Sequence, residues 1–201
     1  MATSDAGEVR YDASTALLVV DVQNDFADPA GSLFVHGGPD VVDAANREIG
    51  RALRAGARVI YTQDWHPPST PHFAKDGGTW PVHCVAGSNG AAFAPRLDVQ
   101  GPVVRKGAGG EDGYSGFSVR DPTTGAAAGT ELEGMLREAG VTGVVIVGLA
   151  TDYCVKETAL DAVRLGLAAT VVGDAVRAVN VDPADGDRAL DAMRAAGVRI
   201  A

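Results

Sequence analysis

The 201-residue sequence is short of the side chains that most often do chemistry. It has four histidines, two cysteines and an aromatic content of 5%. It also lacks a basic cluster: 17 Lys and Arg face 26 Asp and Glu, for a net charge of −9. A phosphate backbone would be repelled by such a surface, which excludes nucleic acid as the natural partner. Long hydrophobic runs are missing too. The longest, ALLVV and VVIVGLA, fall far short of the ~20 residues that span a bilayer, and the opening MATSDAGEVR has no apolar core of a signal peptide. A cytoplasmic protein with no membrane partner is expected. In that compartment two cysteines are expected as free thiols rather than as a disulfide.

What is present is the composition of a chain that folds by itself, 46% hydrophobic and 21% charged, too apolar for disorder. The length suits one core. A single domain over 1–201 is expected, with 1–14 as a loosely ordered tail; the sequence leaves a homo-oligomer open. Short apolar, β-branched runs (15–23, 57–62, 101–106, 141–150, 167–175) alternate with segments of helical period (39–56, 130–140, 152–166, 182–197). Thr130 and Glu133 have capping-box spacing, Asp152 stands as the N-cap of the third helix, and Asp182 with Pro183 opens the fourth. The alternation predicts an α/β three-layer sandwich with a mostly parallel central sheet. The stretch from about 63 to 100 is too long for a mere connection, and its prolines and aromatics favour an ordered, functional loop.

In an open α/β sheet the ligand crevice lies outside the carboxyl ends of the strands. The polar residues at those ends are Asp21, Asp64, Lys106, Cys154 and Asp174. Cys154, on the first turn of a helix and near an ammonium, is placed where a thiolate is favoured. Asp21 can take the thiol proton, Lys106 can supply the ammonium, and backbone N–H groups from Ala150 to Cys154 can face an oxyanion. Acyl transfer through a thioester fits this set. Taken singly, a buried cysteine is often a small hydrophobe and a strand-end aspartate often a turn residue.

Three of the four histidines lie in DWHPPSTPHFAKDGGTWPVHC (64–84). Asp64 and His66 are two apart in extended chain and point to one side. With His72 and His83 they make a ligand set suited to one divalent transition metal, Zn, Fe or Mn. The spacing D-x-H-x₅-H-x₁₀-H follows no common zinc motif, and loop histidines that cap turns are the alternative. His36 is assigned to such a loop, and Cys84, adjacent to His83, to packing. Phe26, Trp65, Phe73, Trp80, Tyr114 and Phe117 fall at the strand ends, where some could line a slot for a flat ring. The glycine-rich GAGGEDGYSGF (107–117) matches no phosphate-binding fingerprint and is read as a mobile loop.

Together VDVQNDF, DWH…H…WPVHC, KG at Lys106 and GLATDYCV resemble the nicotinamidase/pyrazinamidase branch of the isochorismatase-like hydrolases, over about residues 15 to 198. The resemblance implies a catalytic triad of Asp21, Lys106 and Cys154, and a metal site of Asp64, His66, His72 and His83. It implies an oxyanion hole from the N–H groups of Ala150 and Cys154, with a cis peptide at Leu149–Ala150. Phe26 and Trp80 match the family's ring-holding positions, and Tyr114 is a further candidate for substrate contact. Tyr153 stands where many bacterial relatives have histidine. The implied reaction is hydrolysis of nicotinamide to nicotinate and ammonia, with pyrazinamide as a second substrate. Other amide or carbamoyl hydrolases of the superfamily share the triad but generally lack the metal ligands; a non-catalytic metal-binding α/β module would leave the triad unexplained.

Overall fold

The computed structural model describes residues 9–201. Its strands are β1 (Thr15–Val20), β2 (Arg58–Asp64), β3 (Val103–Lys106), β4 (Ser118–Arg120), β5 (Ala127–Gly129), β6 (Gly143–Leu149), β7 (Ala168–Arg177) and β8 (Arg199–Ile200). Its helices are α1 (Asn24–Ala27), α2 (Gly38–Arg54), α3 (Leu132–Glu138), α4 (Lys156–Arg164) and α5 (Asp185–Ala195). Six strands form one parallel sheet in the order β3-β2-β1-β6-β7-β8, and β4 pairs with β5 as a separate antiparallel hairpin.

The β-branched runs lie where both faces of the sheet are covered, as parallel strands require. Side chains alternate across the sheet. Leu17 and Val19 of β1 join Val59, Tyr61, Val145 and Val147 in the core under α2. Leu18 and Val20 join Ile60, Val144 and Ile146 against Leu132, Leu136, Ala159 and Met193 of α3, α4 and α5. This is the expected three-layer sandwich. Among the described residues no helix is long and apolar enough to cross a membrane.

Three helix starts differ from expectation. Asp152 caps nothing: its two carboxylate oxygens accept the Val179 and Asn180 N–H groups, both at 2.9 Å, and so tie the turn after β6 to the end of β7. Thr130 accepts from Leu132 N at 3.2 Å and donates to the Gly116 carbonyl at 2.6 Å, so no box with Glu133 forms. Asp182 accepts from Ala184 N at 2.9 Å, a local turn that delays α5 to Asp185. Asp182 and Thr130 bond backbone groups two residues on, the local competition usual for such side chains, whereas Asp152 is taken by backbone groups distant in sequence. Part of the expected loose tail, residues 1–8, lies outside the described residues. The rest is held down: Val9 is buried, Tyr11 Oη donates to Glu48 at 2.7 Å, and Arg51 donates to the Val9 carbonyl at 2.7 Å.

At the end of β6 the pairing with β7 shifts register between Ile146 and Gly148. Gly148 has φ +119°, and a Cβ there would run into the Val20 backbone. Gly134, inside α3, has nothing within 4 Å of an added Cβ. The same substitution is therefore predicted to act in opposite directions. Gly148→Ala lowers stability by more than about 1 kcal/mol, whereas Gly134→Ala raises it by about 0.5–1 kcal/mol. Urea unfolding of the two variants checks this, and equal effects would contradict it.

Candidate active site

The polar site continues the sheet face that packs on α3, α4 and α5. Along β2 the two-residue period puts Ile60, Thr62 and Asp64 on that face. Ile60 is core, and the next two meet other polar groups. Asp64 is the register partner of Lys106 on β3, so their side chains share a face and Lys106 Nζ lies 2.8 Å from Asp64 Oδ1. The same ammonium donates to Asp21 Oδ2 at 2.7 Å and to the Gly113 carbonyl, and Cys154 Sγ is 3.7 Å away. Asp21 leaves β1 with φ +50° and accepts from Thr62 Oγ1 at 2.5 Å. Gln23 fixes the Asp64 backbone from both sides: its Oε1 accepts the Asp64 N–H and its Nε2 donates to the Asp64 carbonyl, each at 2.8 Å.

Two carboxylates sharing one buried ammonium pull the local pKa values apart. Burial raises Asp21 above its ordinary range, with Lys106 opposing and Asp64 adding to the rise. Burial also acts upward on Asp64, but Lys106 and the neighbouring imidazoles outweigh it and hold this carboxyl well below the usual range. Burial works against the Lys106 charge, and the two aspartates overcome it. Cys154 is pushed well above a normal thiol by burial, against Lys106 and with Asp21 and Asp64. The expectation that its position favours thiolate is therefore corrected: one ammonium and a helix end do not outweigh burial beside two carboxylates. That shift favours the thiol form of the sulfur, and the Asp21 carboxyl, itself raised above an ordinary carboxylate, lies within 4.8 Å of it.

Cys154 sits in a π-type turn, Thr151–Val155, that leads into α4, with Val155 N donating to the Ala150 carbonyl at 3.0 Å. The Leu149–Ala150 peptide is cis, as the resemblance implied. Ala150 and Cys154 both line a cleft whose wall also carries Phe26, Trp80, Tyr114 and Tyr153. Trp80 Nε1 donates to Tyr114 Oη at 2.7 Å, and the Trp80 and Tyr153 rings meet edge to face at 4.9 Å.

His66, His72 and His83 bring nitrogens within 4.8 Å of one another. Asp64 Oδ2 faces this group, 3.7 Å from His66 Nε2 and 3.9 Å from His83 Nε2. His72 Nδ1 lies 2.6 Å from Asp112 Oδ1, and His83 Nδ1 lies 2.7 Å from the Pro81 carbonyl. Both nitrogens of His66 are buried without a hydrogen-bond partner. Burial lowers His83 to about 4, against the Asp64 charge, and lowers His72 against its bond to Asp112. Both rings are thus neutral near pH 7, the form that ligates metal. Neutral imidazoles, one of them with orphaned nitrogens, and a carboxylate oxygen beside them could hold one divalent cation.

Other sequence candidates lie elsewhere. Trp65 packs on the opposite core with the Arg105 guanidinium 4.0 Å over its ring, and Phe117 is buried against α3. Phe73 is fully buried behind the imidazoles of His66 and His83. Asp174 is on the surface beside Arg47 at 3.3 Å, and His36 is exposed. Both cysteines are free, and Cys84 is buried with its N–H donated to Asp25 at 2.7 Å. Sequence reasoning overlooked Thr62, Gln23 and Asp112. Thr62 was detectable, because it precedes Asp64 by one strand period. The 107–117 segment, read as a mobile loop, is tied down: Thr70 Oγ1 donates to the Gly110 carbonyl at 2.6 Å, and Asp112 exchanges backbone hydrogen bonds with Arg120 at 2.7 and 2.9 Å.

A thiol, an aspartate and a lysine gathered at the carboxyl edge of a parallel sheet are the features of an α/β cysteine hydrolase. The chain belongs to the isochorismatase family: the model of the Isochorismatase domain matches residues 15–201. It is 39% identical over 203 residues to the nicotinamidase of Escherichia coli (strain K12), covering 92% of this chain and 93% of that one. It is 41% identical over 190 residues to the nicotinamidase/pyrazinamidase of Mycobacterium tuberculosis, covering 92% and 97%. Among solved structures it is similar to the pyrazinamidase of Pyrococcus horikoshii in complex with zinc, with a TM-score of 0.83 and 38% identity over 94% of this chain and 98% of that one.

Removing the lysine should show how much the cluster depends on it. Lys106→Met leaves two buried carboxylates without their countercharge and is predicted to cost about 3–5 kcal/mol in urea unfolding of the metal-free protein. Lys106→Met/Asp21→Asn should recover part of that loss. A cost of ~1 kcal/mol or less for Lys106→Met, as for a surface pair, would contradict this.

Proposed function

We propose that this protein hydrolyses nicotinamide to nicotinate and ammonia through a thioester on Cys154, with pyrazinamide as a second substrate. The observation that carries the reading is the contact of one buried lysine with both Asp21 and the Cys154 thiol, beside an aromatic cleft that also bears imidazoles. Similarity to nicotinamidases over more than nine-tenths of both chains supports the substrate. In the reaction Asp21 takes the thiol proton as sulfur attacks the carboxamide carbon. The N–H groups of Ala150 and Cys154 receive the developing oxyanion. Asp21 returns its proton to the nitrogen, ammonia leaves, and water attacking the thioester releases the acid and restores the thiol. Lys106 keeps Asp21 anionic and in place. Phe26 and Trp80 hold the ring, and Tyr114 sets the position of Trp80.

Asp64, His66, His72 and His83 would hold the metal. Bound there, it supplies a Lewis acid that can accept a pyridine nitrogen and so orient the ring. Zinc is the proposed ion by analogy with the Pyrococcus horikoshii structure; iron and manganese suit the same donors. A cytoplasmic enzyme with neither nucleic acid nor membrane as partner agrees with its net charge of −9.

Purified protein supplied with zinc should release ammonia from nicotinamide, and Cys154→Ala should lower the rate at least a thousand-fold. No release by the wild type would refute the substrate, and undiminished release by the variant would refute the nucleophile. The base must be ionised, and burial raises Asp21 above 3.8. Activity should therefore be lost, as pH falls, at a pH above the ordinary carboxylate range. A profile of kcat/KM that stays flat down to that range would rule out Asp21 as the base.

A further inference from the structure

We propose that Asp112 is a positioning residue of the imidazole centre, holding His72 as the tautomer whose Nε2 is left free as a ligand. The proposal rests on the reading of His66, His72 and His83 as metal ligands. Asp112 Oδ1 is 2.6 Å from His72 Nδ1. A carboxylate is only an acceptor, so Nδ1 carries the proton and donates. Nε2 is then unprotonated, and the ring lines the cleft. His83 is set the same way by a neutral acceptor, the Pro81 carbonyl, at 2.7 Å. Of these two Nδ1 partners the one on His72 is a carboxylate and the one on His83 a neutral carbonyl, which makes the His72 ring the more basic ligand.

The geometry around Asp112 is that of a fixed support rather than a chance surface contact. Its backbone is held by the reciprocal hydrogen bonds with Arg120. Its neighbour Gly113 passes so close to Lys106 that an added Cβ would stand 2.8 Å from the lysine Cβ. On the other side the His72 backbone N–H donates to Thr70 Oγ1 at 3.2 Å, and that hydroxyl donates in turn to the Gly110 carbonyl at 2.6 Å. The two loops are thus tied to each other by the Thr70–Gly110 bond beside the Asp112–His72 contact. The two acids of the glycine-rich segment then separate in role: Glu111 turns back to accept the Gly109 N–H at 2.9 Å, while Asp112 reaches the imidazole.

The tautomer can be read without metal. Nitrogen-15 shifts of the His72 ring in metal-free protein should show a protonated Nδ1 and a bare Nε2. In Asp112→Ala they should move toward the Nε2–H form. Zinc affinity, measured by competition with a chelator, should fall about 10–100-fold in Asp112→Ala. Asp112→Asn keeps an acceptor oxygen, so the tautomer should hold while affinity falls by a smaller factor. An unchanged tautomer in Asp112→Ala overturns the proposal, as does a changed tautomer with unchanged zinc affinity. If Asp112→Ala does not fold, Asp112→Asn decides, and wild-type affinity in that variant overturns the charged role. Should wild-type protein bind no zinc, the metal reading fails, and the tautomer comparison still decides what Asp112 does.

Discussion

Lys106 carries its charge into a place with no solvent exposure, and two carboxylates meet it there at 2.7 and 2.8 Å. Burying three charges is costly, and only close pairing with further hydrogen bonds offsets that cost. Thr62 on Asp21 and the Gly113 carbonyl on Lys106 supply such bonds. The parallel register brings Asp64 and Lys106 together once β2 and β3 pair, because they are opposite one another at the strand ends. Everything else in the site is placed relative to this ammonium.

Asp64 joins the two halves. One of its oxygens faces Lys106 and the other faces His66 and His83. Its backbone is clamped by Gln23, so the side chain has little freedom to favour one half over the other. The Lys106 ammonium, with Cys154 Sγ 3.7 Å from it, and the imidazole group are therefore linked through a single residue. This is the rigidity that a small aromatic amide needs if its ring and its carboxamide are to be held at two different chemistries in one cleft.

Much of this was legible in the sequence because it rests on local pattern. Buried β-branched runs identify the strands, and the rule that ligands bind at the carboxyl ends of parallel strands picks out Asp21, Asp64, Lys106 and Cys154 without knowledge of contacts. It also picks out Asp174, which β7 passes on the surface before it ends at Arg177. The histidine-rich loop declared itself by concentration. What stayed hidden depends on long-range partners. Asp152 reads as a helix cap and instead binds the backbone at Val179 and Asn180. The thiol has a helix end and an ammonium near it, and only its burial beside two carboxylates reverses the expected ionisation. Asp112 lies in a loop with no pattern of its own, 40 residues from the ring it holds. The β4–β5 hairpin, three residues a side, is too short to leave a periodic signal.

The account as a whole requires that sulfur, and no other atom, takes the acyl group. Protein quenched in acid during turnover of nicotinamide, digested and examined by mass spectrometry, should carry a nicotinoyl group on the peptide containing Cys154 and none on the peptide containing Cys84. Ammonia release with no acyl group on the Cys154 peptide, or with the group on another residue, would contradict it.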